Sequence, residues 1–187
     1  IGGGHVPHAI RRNLDITYLV MDNQIYGLTK GQLSPTSVRG TKTASSLYGS
    51  IEDPVNPLLY TLAYGAGFVA QGIPGDLDGL TKLIEEAIRY PGFSFVNVQS
   101  PCVTYGDDEN QVKAQKAKMK KLSDLGHDPA DRLKAMELAS AYSTELYTGV
   151  FYRNPHPAPT YDAYIKDLQK ELAPQARPLD RLLTPVT

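Results

Sequence analysis

The stretch Ile16-Thr17-Tyr18-Leu19-Val20-Met21-Asp22-Asn23 decides the fold. Its first six residues are a near-continuous apolar run rich in β-formers. A run without alternation suits a strand covered on both faces, as in the centre of a parallel sheet. Asp22 and Asn23 then mark the strand's C-terminal end, the edge at which open α/β sheets bind ligands. Upstream, Gly2 to Gly4 read as a turn and residues 6–12 as a short helix, with Pro7 tolerated in its first turn. Downstream, residues 26–57 hold Gly27, Gly31, Pro35, Gly40, Gly49, Pro54 and Pro57 among many Ser and Thr. This long loop has no periodicity, and such loops in compact domains are usually functional or disordered. Residues 58–66 then predict a helix and 67–71 a short strand. Residues 77–89 predict an amphipathic helix with Leu77, Leu80, Ile84, Ala87 and Ile88 on one face, ended by Pro91-Gly92. Residues 93–98 predict a strand closing at Gln99-Ser100-Pro101-Cys102. The alternation βαβαβ predicts a three-layer α/β domain with a mostly parallel sheet.

Beyond Cys102 the character changes. Residues 106–110 are acidic and turn-like, and Lys113, Lys116, Lys118, Lys120 and Lys121 make a basic helix. A second helix is predicted over about 129–142, capped by Asp128 with Pro129 at its first position. A strand at 147–152, a Pro-rich linker at 154–159, a helix at 161–172 and an extended arm over 174–187 complete the chain. The organisation is thus an α/β unit over 1–105 and a helical extension with an arm over 106–187, packing on the same domain or on a partner. No internal repeat is present.

Composition narrows the function. The 187 residues are 41% hydrophobic and 21% charged, enough apolar material for one sizeable core. The 19 Lys+Arg against 20 Asp+Glu leave a net charge of −1, which gives no electrostatic case for binding nucleic acid or an anionic membrane. Mean hydropathy is −0.31, and no apolar run is long enough to cross a bilayer. The single cysteine excludes an internal disulfide framework or a Cys-rich metal site built from this chain alone, and fits a reducing, cytoplasmic setting. The chain opens Ile1-Gly2-Gly3-Gly4 with no initiator Met or signal-like segment. It is expected to begin inside a domain, with half of one site lying outside it.

The chemistry concentrates in Met21-Asp22-Asn23-Gln24-Ile25-Tyr26-Gly27-Leu28-Thr29-Lys30-Gly31-Gln32. An Asn at a strand end offers a neutral oxygen, and the following turn frees a backbone carbonyl. Residues 29–32 would present N–H groups to a phosphate. A hard cation with a diphosphate fits such a site, because Mg²⁺ takes oxygen ligands and bridges phosphates. On these residues alone, an ordinary strand–loop junction fits as well. Lys30 reads as a solvated loop residue or as a point charge for a substrate carboxylate. Cys102 reads as a small buried hydrophobe unless something recruits its thiol. His5 caps a helix or touches a ligand, His8 is structural, and His127 and His156 are solvated. The lysine run is a solvated helix face or steers an acidic partner. Tyr142, Tyr147, Tyr152, Tyr161 and Tyr164 read as packing residues.

Several words together carry a resemblance: Ile1-Gly2-Gly3-Gly4-His5, Arg11-Arg12-Asn13, the block 21–37, Tyr48-Gly49-Ser50 and Ser100-Pro101-Cys102-Val103-Thr104. With them, residues 1–105 resemble the second part of the β subunit of a 2-oxoacid:ferredoxin oxidoreductase, most closely the 2-oxoglutarate synthase type. The likeness fades over 106–141 and in the arm. It implies a thiamine-diphosphate-binding fold and a reversible, CoA-acylating oxidative decarboxylation of a 2-oxoacid, most closely 2-oxoglutarate to succinyl-CoA. Electrons would pass through a [4Fe–4S] cluster to ferredoxin, and an α subunit would complete the site. Residue by residue, it assigns the Asn23 side chain and the Ile25 carbonyl to Mg²⁺. It assigns Gly4, His5, Tyr26, Gly27, Leu28, Thr29, Gly31 and Gln32 to the cofactor, and Thr29 and Lys30 to catalysis. Cys102 becomes the fourth thiolate of the cluster, since a cluster needs four. The family's Gly-Asp-Gly word would lie immediately before Ile1, and the other three cysteines upstream. Gly4 stands where relatives carry Asn. The alternatives are a pyruvate or indolepyruvate oxidoreductase subunit, or a non-catalytic α/β subunit that has lost the site.

Overall fold

The computed structural model describes residues 2–105 and 108–172. In chain order the elements are α1 (Val6–Arg11), β1 (Thr17–Asp22), β2 (Ile25–Tyr26), β3 (Gln32–Leu33), α2 (Pro57–Tyr64), β4 (Phe68–Gly72), α3 (Leu77–Arg89) and β5 (Ser94–Gln99). There follow α4 (Asp108–Lys118), β6 (Met119–Lys121), α5 (Arg132–Ser140), β7 (Leu146–Arg153) and α6 (Tyr161–Leu172). The main sheet has five strands in the order β1-β5-β4-β7-β6, and β2 and β3 form a separate two-stranded hairpin. β1, β5 and β4 run parallel, β7 is antiparallel to β4, and β6 is parallel to β7.

The strand order explains the layers. From β1 the chain crosses over β5 to reach β4 and then returns to β5. Right-handed crossovers running in opposite directions must lie on opposite faces of the sheet. The core divides accordingly. α1, α2 and α5 bury Ile10, Leu58, Leu62 and Ala139 against Val69, Phe95 and Phe151 on one face. α3 buries Leu83 and Ala87 against Phe68, Ala70, Val96 and Val98 on the other. The predicted three-layer α/β architecture is what forms.

Local chemistry sets the helix ends. Asn56 accepts from Leu58 N (3.1 Å) and Leu59 N (3.0 Å) with Pro57 next, so α2 starts there, and Gly65 at φ +97° closes it. Four expectations change. The 16–21 run is parallel, but among the described residues it pairs only with β5, so β1 is the sheet edge and Met21 is 61% exposed. Continuous apolarity tells burial on two faces from burial on one poorly. The buried stripe of α3 runs through Leu80, Leu83 and Ala87 toward Tyr90, leaving Leu77 and Ile88 exposed. α5 starts later than predicted: Asp131 is its cap, accepting from Lys134 N at 2.9 Å, while Asp128 caps the preceding turn through Ala130 N. The basic helix ends at Lys118. Lys120 and Lys121 lie on β6, paired with Glu145 (2.6 Å) and Asp76 (2.8 Å). Of the acidic turn, residues 106 and 107 lie outside the described residues, as does the arm over 174–187; residues 108–110 open α4.

Candidate functional site

The site is built where β1 ends. Asp22 stands beside Gln99 at the C-terminal edge of the parallel strands, and Ser100 N donates to Asp22 O at 3.0 Å. The chain then reverses through an Asx turn in which Ile25 N donates to Asn23 Oδ1 at 3.2 Å. Gln24 takes φ +58°, unfavourable for a residue with a Cβ. Two bonds hold it there: Gln24 N donates to Asp22 Oδ1 (3.2 Å) and Ser37 Oγ donates to Gln24 O (2.6 Å). Asn23 and Ile25 thus flank one tight turn. Both line a cavity of about 610 Å³ along the β1 edge and another of about 750 Å³ toward the C-terminal segment.

From Ile25 the chain forms the β2–β3 hairpin, pairing Ile25 with Leu33 and Tyr26 with Gln32. Sequence reading gave only a loop here, because two-residue strands leave no periodicity to detect. Inside the hairpin, Lys30 N donates to Gly27 O (3.1 Å) and Gly31 N to Tyr26 O (3.0 Å). These bonds occupy two N–H groups expected to face a phosphate. Among the described residues nothing accepts from the N–H groups of Gly27, Leu28 and Thr29, so the unbonded amides of the loop lie over residues 27–29. Leu28 is fully exposed at the tip, with Thr29, Lys30 and Gln32 also exposed. Thr29 Oγ1 donates to Tyr26 O at 3.4 Å. Gly31 is buried at φ +86°, and a Cβ on it would lie 3.1 Å from Cδ1 of Tyr105. A Cβ on Gly27 would lie 4.0 Å from Cys102 Sγ, which puts the lone thiol against the same hairpin.

Beneath the turn lies a layer of buried polar side chains that sequence reading missed. Tyr142 Oη and Thr36 Oγ1 (2.6 Å) both donate to the buried Asp22 carboxylate. Burial, then the nearby Asp22 charge, pushes the Tyr142 phenol far above its ordinary value. Gln71 Oε1 accepts from Asn97 Nδ2 (2.9 Å) and Gln99 Nε2 (3.2 Å), while Gln71 Nε2 donates to Tyr147 O (2.8 Å). Asn97 Oδ1 has no partner among the described residues. Buried amides are costly unless bonded, so a sheet carrying three at one edge is specialised there. The signal in the sequence was the polar alternation Asn97, Gln99 inside an apolar strand. Tyr142, 120 residues from Asp22, gave none.

The other singled-out residues fall as follows. Gly4 and His5 are exposed at the start of α1, where His5 is the N-cap residue without a side-chain cap bond. Gly3 borders the 610 Å³ cavity, its carbonyl accepting from Tyr60 Oη. His127 is half-buried rather than solvated, its Nε2 2.7 Å from Phe151 O. Among the described residues no three His, Cys, Asp or Glu side chains converge on a metal site. The donors offered by the turn are neutral oxygens, which suit a hard cation whose charge is balanced by phosphate.

Comparison with known proteins places the chain by family and fold. Residues 1–98 match the family described as thiamine pyrophosphate enzyme, C-terminal TPP binding domain, and residues 102–170 match the C-terminal family of the pyruvate ferredoxin oxidoreductase beta subunit. The chain is 35% identical over 188 residues to 2-oxoacid:ferredoxin oxidoreductase 1, subunit beta, of Aeropyrum pernix, covering 95% of this chain and 56% of that one. It is 33% identical over 158 residues to 2-oxoglutarate synthase subunit KorB of Methanothermobacter marburgensis, covering 84% of this chain and 54% of that one. Among solved structures, a chain of 2-oxoglutarate:ferredoxin oxidoreductase from Magnetococcus marinus, with 2-oxoglutarate, coenzyme A and succinyl-CoA bound, superposes with a TM-score of 0.86 at 38% identity. That match covers 98% of this chain and 63% of that one. The chain therefore spans between 54% and 63% of the length of these relatives.

Proposed function

Because this chain belongs to the β-subunit family of 2-oxoacid:ferredoxin oxidoreductases, with a thiamine pyrophosphate enzyme C-terminal domain over residues 1–98, we propose that it forms part of an enzyme that converts a 2-oxoacid and CoA to an acyl-CoA and CO₂. The substrate in this reading is 2-oxoglutarate, the product succinyl-CoA, and the electron acceptor ferredoxin. The site is completed by an α subunit. The observation that carries the reading is the Asx turn at the end of β1. It brings Asn23 and Ile25 to the wall shared by two cavities, with Cys102 near the adjacent hairpin.

The donor set fits the cofactor. Asn23 Oδ1 and the Ile25 carbonyl would hold Mg²⁺, and the free N–H groups of Gly27, Leu28 and Thr29 would donate to the diphosphate. Thiamine diphosphate, when bound, supplies the electron sink that makes loss of CO₂ from a 2-oxoacid feasible. The chain's own part is to fix geometry. The Gln24 and Gly31 backbone conformations set where the loop amides point. Thr29 is exposed near the hairpin tip, where its hydroxyl would leave its bond to Tyr26 O to reach the reacting group. Lys30 is exposed beside it and would pair with the distal carboxylate of a dicarboxylic substrate. Cys102 Sγ, which a Cβ built on Gly27 would approach to 4.0 Å, would be one thiolate of a [4Fe–4S] cluster beside the hairpin. Gly4, His5, Tyr26 and Gln32 remain assigned to the cofactor's surroundings by the family likeness.

The test uses the complete complex. It should contain iron and thiamine diphosphate and reduce ferredoxin when given 2-oxoglutarate and CoA, and it should do so much less well with pyruvate. Cys102→Ser should lower iron content while leaving thiamine diphosphate bound. A complex with neither iron nor thiamine diphosphate would refute the reading in favour of a subunit that keeps the fold alone.

A further inference from the structure

Tyr142 lies in the C-terminal segment, yet its hydroxyl donates to Asp22, 120 residues earlier, at the base of the Asx turn. Both side chains are buried, at 7% and 6% exposure. The Asp22 carboxylate gathers donors from three separate pieces of chain: Gln24 N in the turn, Thr36 Oγ1 in the following loop, and Tyr142 Oη. The ring of Tyr142 packs in the same cluster as Ala135, Ala139 and Phe151. Phenylalanine would fill that space equally well, so packing does not account for the hydroxyl.

We propose that Tyr142 is a positioning residue that locks the Asp22 carboxylate and, through it, the turn presenting Asn23 and Ile25, so that the C-terminal segment controls cofactor affinity. This rests on the functional reading above. Gln24 has an unfavourable left-handed backbone that is held by Asp22 Oδ1 and Ser37 Oγ. A buried carboxylate that loses a donor must rotate toward another partner or admit water. Rotation of Asp22 would release Gln24 N and Thr36 together. The turn would then relax, and the relative placement of Asn23 and Ile25 that the Asx turn sets would be lost. Tyr142, Gln24, Asn23 and Ile25 also line the same 750 Å³ cavity, so the lock sits directly behind the turn that carries the proposed ligands.

The experiment compares Tyr142→Phe with wild type in the complete α/β complex stripped of cofactor. Backbone hydrogen exchange is followed first, and the circular-dichroism change on adding Mg²⁺ and thiamine diphosphate second. The variant should exchange the Gln24 amide about ten-fold faster, with α3 and β5 unchanged, and its Kd for thiamine diphosphate should rise about ten-fold. At saturating cofactor kcat should return to the wild-type value, which a general loss of structure would not allow. Tyr147→Phe, packed against the same core but with no hydroxyl bond to Asp22, should change neither measurement. Unchanged exchange and a Kd within about two-fold of wild type would overturn the proposal, as would an equal loss in Tyr147→Phe. If Tyr142→Phe does not assemble, Thr36→Val removes another donor from the same carboxylate and must raise Kd likewise; an unchanged Kd there overturns the lock. A wild-type complex that binds no thiamine diphosphate would overturn the functional reading instead, and Gln24 exchange would still decide whether Tyr142 holds the turn.

Discussion

Substituting Gly31 by Ala probes whether hairpin geometry sets cofactor affinity. Gly31 has φ +86° and its added Cβ would lie 3.1 Å from Tyr105 Cδ1, whereas Gly40 has the same φ of +86° and nothing within 4 Å. The left-handed conformation costs an L-residue about 1–2 kcal/mol, and both variants carry that cost. Only Gly31→Ala must also move the Tyr105 ring by a few tenths of an ångström. The ring is 45% exposed and can swing outward, so crowding adds about 1 kcal/mol, the low end for overpacking. The total is about 2–3 kcal/mol, borne by the loop that would carry the diphosphate donors, and at about 1.4 kcal/mol per decade this weakens binding about 30- to 100-fold. Titration of the complete complex with thiamine diphosphate at fixed Mg²⁺ reads it directly. Gly40→Ala should shift affinity less than about two-fold, since its strain lies outside the hairpin. Adding Tyr105→Ala to Gly31→Ala should restore about five-fold of the loss, the share due to crowding. Equal effects of Gly31→Ala and Gly40→Ala on binding would refute the reasoning.

Further outcomes follow from other contacts. Lys30→Ala should raise KM for 2-oxoglutarate about ten-fold more than KM for pyruvate, because only the dicarboxylate loses a charged partner; equal changes would remove Lys30 from substrate selection. Gln71→Leu leaves Asn97 Nδ2 and Gln99 Nε2 without their acceptor, and denaturant unfolding should lose about 2–4 kcal/mol; a loss under about 0.5 kcal/mol would contradict the buried amide network. Asp76 caps α3 through Gly79 N (3.3 Å) and pairs with Lys121 (2.8 Å). The hydrogen bond with Lys121 holds its carboxyl below the ordinary value. Its stabilisation is therefore full above about pH 4 and fades as pH falls through the depressed folded value. Thermal melts of Asp76→Asn should differ from wild type at neutral pH and converge in acid; a margin unchanged down to about pH 2 would contradict this pairing.

How much the sequence disclosed depended on the range of the interactions. Helix α3, strands β4, β5 and β7, and the last helix were readable because local periodicity and breakers such as Pro91-Gly92 act within a few positions. The turn at Asn23 was legible as a strand end followed by polar residues. The β2–β3 hairpin was not, since two-residue strands have no period. Lys120 and Lys121 were read with the preceding helix because charge alone does not distinguish a helix face from a strand held by Glu145 and Asp76. Donors for an anion were placed at residues 29–32, but hairpin closure turns the Lys30 and Gly31 amides inward. Asp22 and Tyr142 meet only through tertiary packing, and Tyr142 read as one more core aromatic. The roles proposed for Asn23, Ile25, Lys30 and Cys102 rest on family likeness rather than on spacing.

The most direct test is a structure of the complete complex crystallised with Mg²⁺ and thiamine diphosphate. A cation about 2.1 Å from both Asn23 Oδ1 and the Ile25 carbonyl oxygen, touching the diphosphate, is the predicted result. A diphosphate anchored with its metal on other protein atoms, while the Asx turn keeps its present shape, would contradict the account.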